Sequence, residues 1–233
     1  MATLVLLPGL LNTRRLFERQ IADLADLADL ADAIVPELWH HESIGAMAQA
    51  TLDAAPERFA LGGFSMGGYV CFEILRRAPQ RVERLALMDT QATPDTAEAT
   101  ARRRGFIAQT GLGRFHGVQP SLLPQIVHRD HLGDQSIIQP ILEMAAEVGA
   151  DGFCREQTAM IGRPDSRPLL VDIKVLTLVL VGRQDIATPL VRAEEMAADI
   201  GHSQLAVIEK CGHMAPLEKP AEVSAALRRW LTQ

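Results

Sequence analysis

One serine, flanked by glycines at 63, 67 and 68, lies within the apolar run RFALGGFSMGGYV of residues 58–70. A serine hydroxyl becomes a nucleophile only when a base takes its proton, so Ser65 matters chemically only if a histidine and an orienting acid lie elsewhere in the chain. FALGG reads as a strand and MGGYVCFEILRRA as a helix, with no residue left over for a loop. The turn between them must be sharp, and glycines two before and two after the serine remove Cβ atoms that would clash in it. In such an elbow the serine Oγ stands at the carboxyl edge of a sheet, and the Met66 N–H, a free donor of the helix N-terminus, faces any oxyanion formed on attack. The competing reading is a glycine-rich turn whose serine merely caps the helix. No Lys follows the glycines and G-x-G-x-x-G is absent, which argues against a phosphate-binding loop.

A base is available at His213, in EKCGHMAPLEKP, between the last strand, QLAVIE, and the last helix. The other histidines are placed less well: His40 and His41 precede the serine, His202 precedes the last strand, and His116, His128 and His131 lie in a strand-poor region. HRDH at 128–131 offers two imidazoles and a carboxylate, a weak metal pattern. For the acid, Asp185 follows the apolar strand in TLVLVGRQDIATP, at the sheet edge that Ser65 occupies. Asp89, at the end of LALMD, competes for the role, and Asp185 could alternatively cap a helix near Pro189. A second oxyanion donor is expected from LLPGLLNT, residues 6–13, where Gly9 lets the backbone turn in and the Leu10 N–H faces Ser65, with Leu11 as the substitute.

These residues need a scaffold, and the chain supplies alternating strands and helices. Apolar runs at 3–7, 33–37, 59–63, 84–89, 175–182 and 204–209 are separated by helix-length stretches, the pattern of a parallel sheet covered on both faces. Ser43 opens one helix, Pro189 another, and the last runs from about Pro220 to Trp230. Residues 22–32, ADLADLADLAD, are expected to form one helix with a drifting stripe of Leu24, Leu27 and Leu30. The alternation breaks between about 92 and 170, where TPDTAEATARRRGF and a Gly-, Pro- and His-rich stretch replace the strands. That segment is expected to be a helical cap over a pocket, with core parts at 1–91 and 171–233. Phe106, Leu112, Phe115, Leu122, Leu123, Met144, Val148 and Phe153 are its candidate apolar residues.

With 233 residues, 48% of them hydrophobic, and a net charge of −6, the chain fits one globular α/β domain with no basic footprint for nucleic acid or an anionic membrane. The expected partner is a small molecule. Cys71, Cys154 and Cys211 lack C-x-x-C spacing, so neither a disulfide framework nor a zinc site is expected, and a reducing cytoplasm is. Cys211 should pack as a small hydrophobe. MATLVLLPGLL has no basic leader and is cut by Pro8 and Gly9, too early for a signal peptide or a membrane span.

The loop LLPGLL, the elbow GFSMGG, GRQDIATP and CGHMAPLEKP, in that order, resemble the α/β-hydrolase family along essentially the whole chain, and most of all its small esterases and enol-lactonases with a helical cap. The resemblance implies an α/β-hydrolase fold. It also implies Ser65 as nucleophile, Asp185 as orienting acid, His213 as base and acid, and Leu10 with Met66 as oxyanion donors. The implied reaction is hydrolysis of a carboxylic ester or lactone through an acyl-enzyme, without metal or organic cofactor. The same triad can serve carbon–carbon bond hydrolysis, elimination or perhydrolysis, or survive in a non-catalytic small-ligand receptor. The sequence departs from the family pattern in two places. Pro8-Gly9 stands where His-Gly is usual, and the chain starts at what would be the family's third strand, giving an expected sheet of about six parallel strands.

Overall fold

A computed structural model describes residues 2–27, 30–115 and 117–233. The order of elements is β1 (Ala2–Leu7), α1 (Glu18–Leu24), β2 (Leu30–Ile34), α2 (Ile44–Ala54), β3 (Phe59–Phe64), α3 (Met66–Arg77), β4 (Val82–Met88), α4 (Ala97–Gly111) and α5 (Gln135–Ile161). There follow α6 (Arg167–Leu170), β5 (Leu176–Gly182), α7 (Leu190–Asp199), β6 (Ser203–Ile208), α8 (Ala215–Glu218) and α9 (Pro220–Thr232). The strands form one parallel sheet in the order β2-β1-β3-β4-β5-β6, flanked by helices, which is the α/β-hydrolase fold expected from the sequence.

Strand residues alternate between the two faces. Val5, Leu7, Leu61, Leu85, Leu87, Val179 and Val181 pack with α2, α3 and α7, whereas Leu4, Leu6, Ala60, Ala86, Met88, Leu178 and Leu180 pack with α1 and α9. The chain runs outward from β1 to β2 and then returns to the other side of β1 to form β3. That reversal opens a crevice at the carboxyl ends of β1 and β3, where ligands of open α/β sheets bind.

The ADL repeat does not form one helix. Helix α1 stops at Leu24, and from Leu30 the chain is a strand whose residues pair with β1, Ala2 opposite Leu30 and Val5 opposite Ile34; residues 28 and 29 lie outside the described residues. An edge of β1 in need of backbone partners overrides the helix preference of alanine.

Between β4 and β5 the chain forms α4, short 3₁₀ turns and the long α5. Helix α5 is broken at Gly149, whose φ of 66° and ψ of −174° are not helical. Ile137, Ile138, Ile141 and Met144 of α5 join Leu123 and Val127 in the same apolar cluster as the sheet, so this region is packed onto the core. α4 buries no residue and rests on α5 partly through Phe106, whose ring centroid lies 6.4 Å from that of Phe153.

Candidate active site

β3 ends at Phe64 and α3 starts at Met66, leaving Ser65 alone at the turn with φ 51° and ψ −114°, a conformation that strains any residue with a Cβ. The strain is held from both sides. The Ser65 N–H donates to Met88 O at 2.9 Å, and its carbonyl accepts from the Gly68 N–H at 3.0 Å and the Thr90 hydroxyl at 2.7 Å. The elbow needs its glycines because a Cβ on Gly67 would lie 2.1 Å from Leu7 O and one on Gly63 2.5 Å from Gly67 O. Ser65 makes no side-chain cap to α3; its Oγ lies 3.0 Å from His213 Nε2.

His213 sits in the loop after β6, its own N–H donating to Ile126 O at 2.9 Å. Its Nδ1 lies 2.8 Å from Asp185 Oδ2, so Nδ1 carries the proton toward the carboxylate and Nε2 is left to accept from the serine. Asp185, buried at the end of the loop after β5, also accepts from the N–H groups of Ala187 and Thr188 and from the Thr188 hydroxyl at 2.6 Å. Burial alone would raise its carboxyl; His213 and these donors outweigh burial and hold it below the usual carboxylate range. The sequence alternative, that Asp185 caps the helix after it, does not hold, since α7 has Pro189 at its cap.

Asp89, the competing acid, is fully buried at φ 44° and its Oδ1 accepts from the Gly182 N–H at 2.8 Å. It makes no hydrogen bond to His213 among the described residues, and burial, then the neighbouring Asp185, push its carboxyl well above the usual range. The two carboxylates are thus driven apart, Asp185 toward the charged form and Asp89 toward the protonated one. One atom each of Asp89, Asp185 and His213 lie within 4.8 Å of one another, but N–H and O–H donors already engage both oxygens of Asp185.

The loop after β1 separates the two candidate oxyanion donors. Leu11, not Gly9, takes the left-handed conformation, with φ 58°, and its N–H donates to Glu156 Oε2 of α5 at 3.0 Å. The Leu10 and Met66 N–H groups have no partner among the described residues. Gly9 serves close approach instead, because a Cβ there would lie 2.9 Å from Asn12 Oδ1 and Phe64 Cδ1.

Over Ser65 and His213 lies a cavity of about 500 Å³, roofed by α4, α5 and the connection between them. Phe106, Phe115, Leu122 and Phe153 of the expected apolar set line it; Leu123, Met144 and Val148 are buried packing, and Leu112 points to solvent.

A profile described as the alpha/beta hydrolase family matches residues 4–226. The chain belongs to that family. Among this alpha/beta hydrolase's relatives is the pimeloyl-[acyl-carrier protein] methyl ester esterase of Neisseria meningitidis, 31% identical over 176 residues, 72% of this chain and 66% of that one. The match thus spans slightly under two thirds of the relative's length. A thermophilic esterase from Thermogutta terrifontis, solved with malate bound, superposes with a TM-score of 0.89 and 30% identity over 100% of this chain and 90% of that one. The enol-lactonase of Burkholderia xenovorans LB400 shares the fold, with a TM-score of 0.83, 21% identity and coverage of 100% and 92%.

Two carboxylates of this alpha/beta hydrolase were not singled out in its sequence. Glu218 in α8 accepts from the N–H groups of Gly212, Met214 and His128 and from His131 Nδ1, tying the His213 loop to the turn at 128–131. His131 is thereby engaged by a carboxylate. Glu156 left one trace in the sequence: it falls four residues after Gly152 and four before Met160, on the buried stripe of α5. No helix among the described residues is long and apolar enough to cross a membrane.

Proposed function

We propose that this protein is a serine hydrolase of carboxylic esters or lactones. The reading rests on one observation, the run of contacts from Ser65 Oγ through His213 to Asp185 at 3.0 and 2.8 Å on a strained strand-to-helix turn. Ser65 Oγ attacks the carbonyl carbon as His213 Nε2 takes its proton, and the oxyanion is met by the Leu10 and Met66 N–H groups. Collapse of the tetrahedral adduct breaks the bond to the leaving alcohol, which receives the proton from His213. Water, deprotonated by His213, then attacks the acyl-enzyme and frees the acid, and Ser65 regains its proton.

The largely apolar cavity and the esterase relatives favour ester over other chemistries of the triad. Residues 92–170 act as the cap, inserted between core parts 1–91 and 171–233; the end of β4 at Met88 and the start of β5 at Leu176 support that division. All three cysteines are free thiols, which suits a cytoplasmic setting. A fluorophosphonate should label Ser65, located by mass spectrometry, with turnover of p-nitrophenyl acetate or butyrate in parallel. An unlabelled Ser65 without turnover would defeat the reading.

A further inference from the structure

The cavity wall carries more positive charge than it balances. Arg103 of α4 and Arg163, just beyond α5, share one carboxylate, Asp95, whose oxygens Arg103 Nε and Arg163 Nη1 reach at 2.6 and 2.5 Å. Both guanidiniums are largely withdrawn from solvent, with side-chain exposures of 20% and 3%. Arg163 is spent: it lies 4.2 Å from the centre of the Tyr69 ring and also donates to Thr93 O and Met160 O. Arg103 borders the cavity; its Nη2 also reaches Asp95 Oδ1 at 3.4 Å, and each Nη keeps a second N–H to spare. Its Nη1 donates to Gln157 Oε1 at 2.8 Å, which fixes the amide with oxygen toward the guanidinium.

Gln157 is 2% exposed, borders the same cavity, and its Nε2 has no partner among the described residues. Arg114, also lining the cavity, bonds Gln109 and no carboxylate among the described residues. No described residue lining the cavity is acidic, in a chain whose net charge is −6. Arg103 and Arg163 share the single Asp95 carboxylate and Arg163 lies outside the cavity lining, so the Arg103 guanidinium is the half-neutralised cation that faces the cavity, where an opposite charge and hydrogen bonds would stabilise it. What fits beside a guanidinium and an amide N–H is an acceptor-only anion of planar shape.

We propose that Arg103 and Gln157 form an anion subsite, and that the substrate is an ester or lactone bearing a free carboxylate, of which monoesters of dicarboxylic acids are the simplest. This rests on the hydrolase reading above. The carboxylate docks on Arg103 Nη and Gln157 Nε2 while the ester carbonyl reaches Ser65, so chain length is selected by the span between the two.

The test compares kcat/KM for monomethyl esters of succinate through suberate with the corresponding dimethyl esters, followed by pH-stat titration. For at least one chain length the monoester should exceed the diester tenfold or more. Gln157→Glu, which keeps the amide's shape and the bond to Arg103 but fills the subsite with its own charge, should lower that ratio at least tenfold, and Arg103→Met should do likewise in protein whose near-ultraviolet circular dichroism is unchanged. A ratio of one or less at every length, or one that Gln157→Glu leaves alone, overturns the proposal. If no ester is cleaved and Ser65 stays unlabelled, the hydrolase reading fails while the subsite is still measurable: calorimetry with glutarate and adipate should show binding to Ser65→Ala that is lost in Ser65→Ala/Gln157→Glu. Absence of that binding overturns the subsite independently.

Discussion

The backbone N–H of Leu11 donates to Glu156 Oε2 at 3.0 Å, joining the strained loop after β1 to the second half of α5, 145 positions along the chain. The other oxygen of Glu156 is buried without a partner among the described residues. Burial pushes this carboxyl up to about 8, and the Leu11 N–H opposes that only in part.

A raised carboxyl stabilises the fold fully below its unfolded value and progressively less as pH rises through the folded one. Between about 4.5 and 8 the unfolded chain ionises Glu156 and the folded chain does not, a loss of at most roughly 1.4 kcal/mol per unit. Glu156→Gln, which cannot ionise, should melt higher than the parent at pH 8 and converge with it toward pH 5. Glu156→Ala should lose about 1–3 kcal/mol by leaving the Leu11 N–H unpaired. Parallel melting curves for parent and Gln variant across pH 5–9 would refute the assignment.

The two buried aspartates should separate cleanly in kinetics. Asp185→Asn removes the charge that orients His213 and should lower kcat roughly 10³–10⁴-fold. Asp89, whose burial favours the neutral form and which makes no hydrogen bond to His213 among the described residues, should tolerate Asn with kcat within about threefold of the parent. Steady-state rates on p-nitrophenyl butyrate decide; equal losses would mean that Asp89 shares the charge.

Strain at Ser65 predicts a trade of stability against activity. Ser65→Gly should raise the unfolding free energy by about 1 kcal/mol over Ser65→Ala, because only Gly adopts φ 51° without cost, and both should abolish turnover. Urea denaturation of the pair measures the difference, and a more stable Ala variant would contradict it.

Two glycines should respond with opposite sign. Gly67→Ala would press a methyl against Leu7 O at 2.1 Å, backbone against backbone, and should cost about 3 kcal/mol or more. Gly105, inside α4 with nothing within 4 Å of its would-be Cβ, should gain about 0.5–1 kcal/mol as Ala. Thermal unfolding of both variants tests the contrast.

What was legible in the sequence is what short stretches encode. The runs that become β1, β3, β4, β5 and β6 are continuous apolar segments whose partners need only be other such segments; Ser65 follows β3 directly, and Asp185 and His213 lie in the loops after β5 and β6. The ADL repeat misled because its own preference is helical, whereas its fate from Leu30 onward is set by the free edge of β1. Glu156 and the Arg103–Gln157 pair left little trace, because their partners lie 145 and 54 residues away, and the bond by which Glu218 reaches His128 spans 90. The sequence offers Leu11 as a substitute donor; only the distant carboxylate shows that its N–H is taken.

The break at Gly149 divides labour within one helix. Unbroken, its 27 residues would run about 40 Å. Turned at Gly149, the first half sets Ile137, Ile138, Ile141 and Met144 into one core cluster, while the second sets Ala159 and Met160 into the other and brings Phe153 and Gln157 to the cavity wall. Substitutions at Phe153 or Gln157, which line the cavity and lie outside both large core clusters, can therefore retune what it accepts without disturbing the foundation, and a single residue lacking a side chain aims them there.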